Sequence, residues 1–68
     1  MKLYFENRYG ERRLIGEPAD DDGAWKMIHE FCGDRNYHIP YVRIWTVEST
    51  NEVCYDVGSH TEFFYLAK

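Results

Sequence analysis

Hydrophobic and polar positions change period twice along the chain. Lys2-Leu3-Tyr4-Phe5-Glu6 alternates with period two, placing Leu3 and Phe5 on one face and Tyr4 on the other, the pattern of a half-buried strand. Asn7-Arg8-Tyr9-Gly10-Glu11 carries turn chemistry, with Gly10 free to adopt a positive φ. Arg12-Arg13-Leu14-Ile15-Gly16 returns as a second strand with a weaker pattern, diluted by Gly16 and the arginine pair. Arginines on a sheet edge also discourage pairing with another chain.

From Ala24 to Cys32 the period becomes helical. On a wheel of about 100° per residue, Met27, Phe31, Ala24, Ile28, Cys32 and Trp25 fill one continuous arc. Lys26, His29 and Glu30 fill the other side. Glu17-Pro18-Ala19-Asp20-Asp21-Asp22-Gly23 suits the start of this helix. One aspartate can cap free backbone N–H groups, and its neighbours favour the positive end of the helix dipole. The triple aspartate also raises a divalent-cation site, but it lacks the alternate-residue ligand spacing and closing Glu of a calcium loop. Gly33 is the expected left-handed residue that ends the helix.

Period two then resumes. Tyr37-His38-Ile39-Pro40 is a connector, and Tyr41–Val47 is the strongest strand. Val42, Ile44 and Thr46 share one face of it, and Tyr41, Arg43, Trp45 and Val47 the other. A polar turn at Glu48–Asn51 leads to a strand over Glu52–Val57, and Gly58-Ser59-His60 turns into a last strand over Thr61–Leu66. The short loops make these three strands an antiparallel meander. The whole is one domain, residues 1–68, of α+β class: order ββαβββ, a mainly antiparallel sheet with one helix packed across one face. The expected core is Leu3, Phe5, Leu14 or Ile15, Trp25, Ile28, Phe31, Val42, Ile44, Phe64 and Leu66. If Val42 and Ile44 turn toward the helix, Tyr41, Arg43 and Trp45 form an exposed stripe.

Composition sharpens this picture. A chain of 68 residues buries only about 60% of its unfolded surface and needs a supplement to its core. Four Phe, six Tyr and two Trp are that supplement. They are also more rings than one short helix over a thin sheet can shelter, so some are expected outside, as a partner-binding or self-association face. A net charge of −4 argues against nucleic-acid binding driven by phosphate contacts. No basic segment followed by an apolar run opens the sequence, and no run approaches the ~18 apolar residues of a membrane span. With only Cys32 and Cys54, the expectation is a reducing cytoplasm and two free thiols.

Three constellations bear on chemistry. His29, Cys32, Cys54 and His60 match zinc's ligand preference, but no pair has the tight spacing of a zinc knuckle, and His29 lies off the arc that holds Cys32. Ser59-His60, near Asp56 and Glu62, offers nucleophile and base side by side in a tight turn, a placement that seldom yields catalytic geometry. Neither metal nor cofactor nor catalytic residue is therefore expected. The third is the stripe Tyr41, Arg43 and Trp45, with Tyr55 as support and Tyr4 or Tyr65 as further candidates. Tyr, Trp and Arg are the residues enriched at protein-binding hot spots. Sheet-borne aromatics can also stack single-stranded bases, but that mode needs a cationic groove, to which only Arg43 with Arg12, Arg13 or Arg35 could contribute.

Asp56-Val57-Gly58-Ser59-His60-Thr61-Glu62-Phe63-Phe64 resembles the tail of small proteins encoded by phages and prophages of Gram-positive bacteria. Met1-Lys2-Leu3-Tyr4-Phe5 and the region from Ala24 to Phe31 are similar to theirs in layout. The resemblance implies a setting, the cytoplasm of an infected or lysogenic cell, and a protein that binds a host or phage protein. It brings no activity and no site residue. The expected function is non-enzymatic protein binding through Tyr41, Arg43, Trp45 and Tyr55. Single-strand binding and a zinc-stabilised domain are the alternatives.

Overall fold

A computed structural model describes residues 1–68. β1 (Lys2–Glu6) and β2 (Arg12–Gly16) form the first hairpin. Asn7 builds its turn: Oδ1 accepts from the amides of Tyr9 (2.9 Å) and Glu11 (3.0 Å), and Gly10 sits at φ 79°. The α-helix α1 (Asp21–Asp34) follows. Its N-cap is Asp20, in extended conformation, whose Oδ1 accepts from the Gly23 amide at 2.8 Å. Asp21 and Asp22 occupy the first turn, where the dipole favours negative charge.

The helix does not end at Gly33 as the sequence predicts. Gly33 stays helical, and the left-handed residue is Asn36, at φ 58°. The Asn36 amide donates to the Gly33 carbonyl (3.0 Å) and the Tyr37 amide to the Cys32 carbonyl (2.8 Å). This pair of bonds is a Schellman ending, in which Asn serves in place of Gly.

β3 (Arg43–Val47), β4 (Glu52–Asp56) and β5 (Phe63–Ala67) form the expected meander. The strand order is β2-β1-β5-β4-β3, antiparallel throughout. β1 pairs with β5 along its length, so the first and last strands join the two hairpin regions into one sheet. β5 starts at Phe63 rather than Thr61, because the Glu62 amide donates to Ser59 Oγ (3.1 Å) and stays in the turn.

α1 lies on one face of this sheet. Ala24, Ile28 and Cys32 are buried against Leu3, Tyr55, Val57, Phe64 and Leu66. Phe31 meets Phe5 and Phe64, with ring centroids 4.7 and 5.6 Å apart. Trp25 stacks on Tyr55 at 6.3 Å, and Met27 lies so close to Gly16 that a Cβ there would come within 2.5 Å of its sulfur. These contacts carry the helix over β2, β1, β5 and β4 and stop there.

Two core expectations therefore change. Val42 and Ile44 do lie on the helix side, since Ile44 pairs with the buried Tyr55, but they are 40% and 56% exposed because the helix does not reach β3. Of Leu14 and Ile15, it is Ile15 that packs on the core, while Leu14 is 47% exposed. An irregularity in the β1–β2 pairing between Leu3 and Tyr4 accompanies this choice.

Ile28→Ala should cost about 2–5 kcal/mol, the range for emptying a fully buried aliphatic site. Leu14→Ala, 47% exposed, should stay within about 0.5 kcal/mol, as exposed substitutions do. Urea denaturation of the two variants beside the parent distinguishes them.

Candidate functional site

The face opposite α1 is covered by no element of the chain. Strand alternation and register place Leu14, Tyr4, Tyr65, Cys54 and Trp45 in one row across it. A second row carries Arg12, Glu6 and Phe63, and Asp56 is paired with Arg43 at the β3 side. Cys54, Glu52 and Asp56 are nevertheless buried here. Long side chains do the covering. Arg12 reaches from β2 across the sheet, its Nη1 donating to Glu52 Oε2 (2.8 Å) and its Nε to Glu6 Oε1 (3.2 Å). On the way its guanidinium lies 4.0 Å from the Tyr65 ring centroid. Arg43 Nη2 donates to Asp56 Oδ2 at 2.8 Å, and Asp56 Oδ1 accepts from the Gly58 amide at 2.9 Å.

These contacts set the ionisation of the face. The hydrogen bond from Arg12 holds the Glu52 carboxyl below its usual range, against the opposing effect of burial. Burial works to raise the Asp56 pKa, but the Gly58 amide and the Arg43 guanidinium outweigh it and the net shift is downward. Tyr65 is pushed up to about 12, first by burial and then by neighbouring Cys54 and Glu6. Burial raises both thiols, Cys54 on this face and Cys32 beneath the helix. Both are free and buried, and neither has the lowered pKa of a reactive cysteine.

Of the stripe predicted from sequence, Arg43 and Trp45 do share the open face of β3. Trp45 is 44% exposed. Tyr41, 41% exposed, precedes the strand, with its ring centroid 5.8 Å from the Arg43 guanidinium. Tyr55 does not belong with them. It points the other way, is buried to 4% exposure and stacks on Trp25. The reason is parity: Tyr55 shares its face of β4 with Val53, next to the core, while Cys54 and Asp56 face outward. Tyr4 and Tyr65, the further candidates, lie in the same cross-sheet row as Trp45.

Sequence reasoning missed Arg12 as the clamp of this face, and missed Val42 and Ile44 as exposed edge residues. The mixed Arg12-Arg13 pair at an edge was the only local sign of the clamp. Every residue from Tyr41 to Thr46 is exposed, which makes β3 an edge strand open on both of its faces.

The other constellations are not assembled. Cys32 packs in the core on the helix side, while Cys54 lies on the opposite face beside Tyr65, so the four His and Cys residues do not converge. Ser59 Oγ is engaged as a turn cap for Glu62 and lies 3.5 Å from Thr61 Oγ1. Arg12, Arg13 and Arg35 line one open hollow of about 810 Å³ on the helix side, but Glu11, Asp34 and Glu62 line it with them and it lies away from Tyr4, Tyr65 and Trp45, while Arg43 stands apart beside Asp56. The Arg12 head reaches on to carboxylates of the open face, and Arg13 and Arg35 lie near the Phe31 ring on the helix side. A pocket of about 140 Å³ beside the end of α1 has Phe5, Cys32, Tyr37 and Phe64 in its lining, with the Arg35–Glu62 pair among its polar residues. It is smaller than the roughly 300 Å³ at which small-molecule sites begin. No helix is long and apolar enough to cross a membrane. Comparison with protein-family models, curated proteins and solved structures finds no match to the chain.

The depressed carboxylates give the open face a pH dependence. The folded protein binds these two protons less readily than the unfolded chain, so the stability they contribute is present above the ordinary values of 4.5 for Glu52 and 3.8 for Asp56 and is lost as the pH falls through and below them. Urea midpoints measured on a descending pH series should fall across this window. Asp56→Asn should flatten the fall, and an unchanged profile would show that the contacts Asp56 makes with the Gly58 amide and Arg43 do not contribute to the stability.

Proposed function

We propose that the chain is a non-enzymatic protein-binding domain that works through β3 and the adjoining open face, with Tyr41, Arg43 and Trp45 as the contact residues. The observation that carries this reading is the run of exposed side chains from Tyr41 to Thr46, aromatic or aliphatic at most positions, on the one strand the helix leaves uncovered. Exposed Trp, Tyr and Arg in one patch is the composition of an interface centre. The resemblance to phage and prophage proteins supports a host or phage protein as the partner, and a role as a modulator or inhibitor of that factor.

The single-strand-binding reading has the aromatic rows in its favour. Against it stand the net charge of −4 and the pairing of Arg12 and Arg43 with carboxylates. Base-stacking sheets work beside free cationic grooves.

Tyr41→Ala combined with Trp45→Ala should remove at least nine-tenths of the partner captured from a lysate of the native host, with the circular dichroism spectrum of the folded chain retained. Leu14→Ala, at a comparably exposed position on the opposite edge, should leave capture intact. Equal capture by all three proteins would refute the reading. A low-salt shift of single-stranded DNA or RNA would move it to nucleic acid.

A further inference from the structure

The two edges of the sheet are built differently. β2 carries Arg13, which makes no ion pair, and joins β1 through an irregular register, both of which deter a further strand. β3 has none of these guards. Its pairing with β4 is regular over all five residues, it contains no proline, and its one charged residue, Arg43, is already matched to Asp56 on its own sheet. Backbone donors and acceptors along its outer side are unpaired, and Ile44 on one face and Trp45 on the other are both about half exposed.

The geometry points to a second copy of this chain as the occupant of that edge, with β3 pairing antiparallel to β3 about a two-fold axis. This rests on the reading of β3 as the interaction surface and names what fills its edge. A two-fold axis perpendicular to the sheet keeps each face on its own side. Residues directly opposite must then share a face, so the axis passes between the two copies of a single residue and not between two different residues. Centred on Arg43, the pairing would set two guanidinium groups against each other, which is destabilising. Centred on Ile44, it sets Ile44 against Ile44, Val42 against Thr46, and each Arg43 against the Trp45 of the other copy. The first two are apolar or β-branched pairs, and the third is a cation–π pair. Antiparallel pairing also brings the Arg43 end of each strand beside the end of the other that runs into Glu48.

The asymmetry of the two edges also closes the assembly. Pairing β3 with β2 of another copy would propagate without end, but β2 is guarded, so growth stops at two. In the dimer the two open faces become one continuous surface, with Trp45 and Arg43 of both copies at its centre. Arg43 and Trp45, paired across the seam, still present their outer surfaces on the open face, so a partner would meet two copies of the patch side by side.

Sedimentation equilibrium of the purified chain, from micromolar to high micromolar concentration, should show twice the monomer mass. Ile44→Lys should return it to the monomer with an unchanged circular dichroism spectrum, since this side chain is 56% exposed. Ile44→Cys should form a disulfide-linked dimer under mild oxidation, while the parent, whose thiols are buried, should not. A parent that is monomeric throughout, or a dimer that survives Ile44→Lys, would overturn the pairing. An Ile44→Cys protein that stays unlinked would overturn the register. A monomeric parent whose partner capture still depends on Tyr41 and Trp45 would overturn the dimer and leave the binding reading standing.

Discussion

One helix has to serve five strands, and most of what is unusual about this domain descends from that mismatch. A helix is about 10–12 Å across with its side chains, whereas five strands at about 4.8 Å spacing extend about 19 Å between outer axes. α1 therefore covers β2, β1, β5 and β4 and leaves β3 bare. Its apolar arc is spent on the strands it reaches. Trp25 lands on Tyr55, Phe31 on Phe5 and Phe64, and Ile28 fills the centre. Nothing in the chain remains to cover Ile44.

The opposite face meets a related shortage by other means. Having no second layer, it is roofed by the stems and heads of arginines. Arg12 spans from one edge toward the far side to meet Glu52, lying over Tyr65 as it goes, and Arg43 closes over Asp56. Long basic side chains can cover apolar surface while keeping their charge near water. This explains how Cys54 is almost fully buried on a face with no covering element. It also explains why a chain with eight basic residues presents little free cationic surface at its aromatic rows.

The sequence announces its elements because every one of them except β2 has an unmixed period. Helix, strands, N-terminal cap and meander all follow from local chemistry, and the structure contains them. What local chemistry leaves out is which strands the helix reaches. Val42 and Ile44 have the parity of core residues and lie on the correct side, but burial there depends on the position of a helix edge. Tyr55 shows a different gap. Val53, Tyr55 and Val57 form an apolar alternation against Glu52, Cys54 and Asp56, which already turns Tyr55 inward; weighing it as an aromatic rather than by its face hides this. Arg12 was beyond reach, since its partner Glu52 becomes a neighbour only once β5 is known to lie between β1 and β4. Gly33 was misleading because a glycine near a helix end usually stops it, whereas here the Asn36 bonds prevail.

The two cysteines sit on opposite sides of the same sheet, each behind a different barrier. Cys32 is shielded by the packing of α1, and Cys54 by the Arg12 clamp and Tyr65. A thiol reagent thus meets two independent clocks in one small molecule. One runs with detachment of the helix, the other with lifting of the arginine from its carboxylate, and salt would quicken the second before the first.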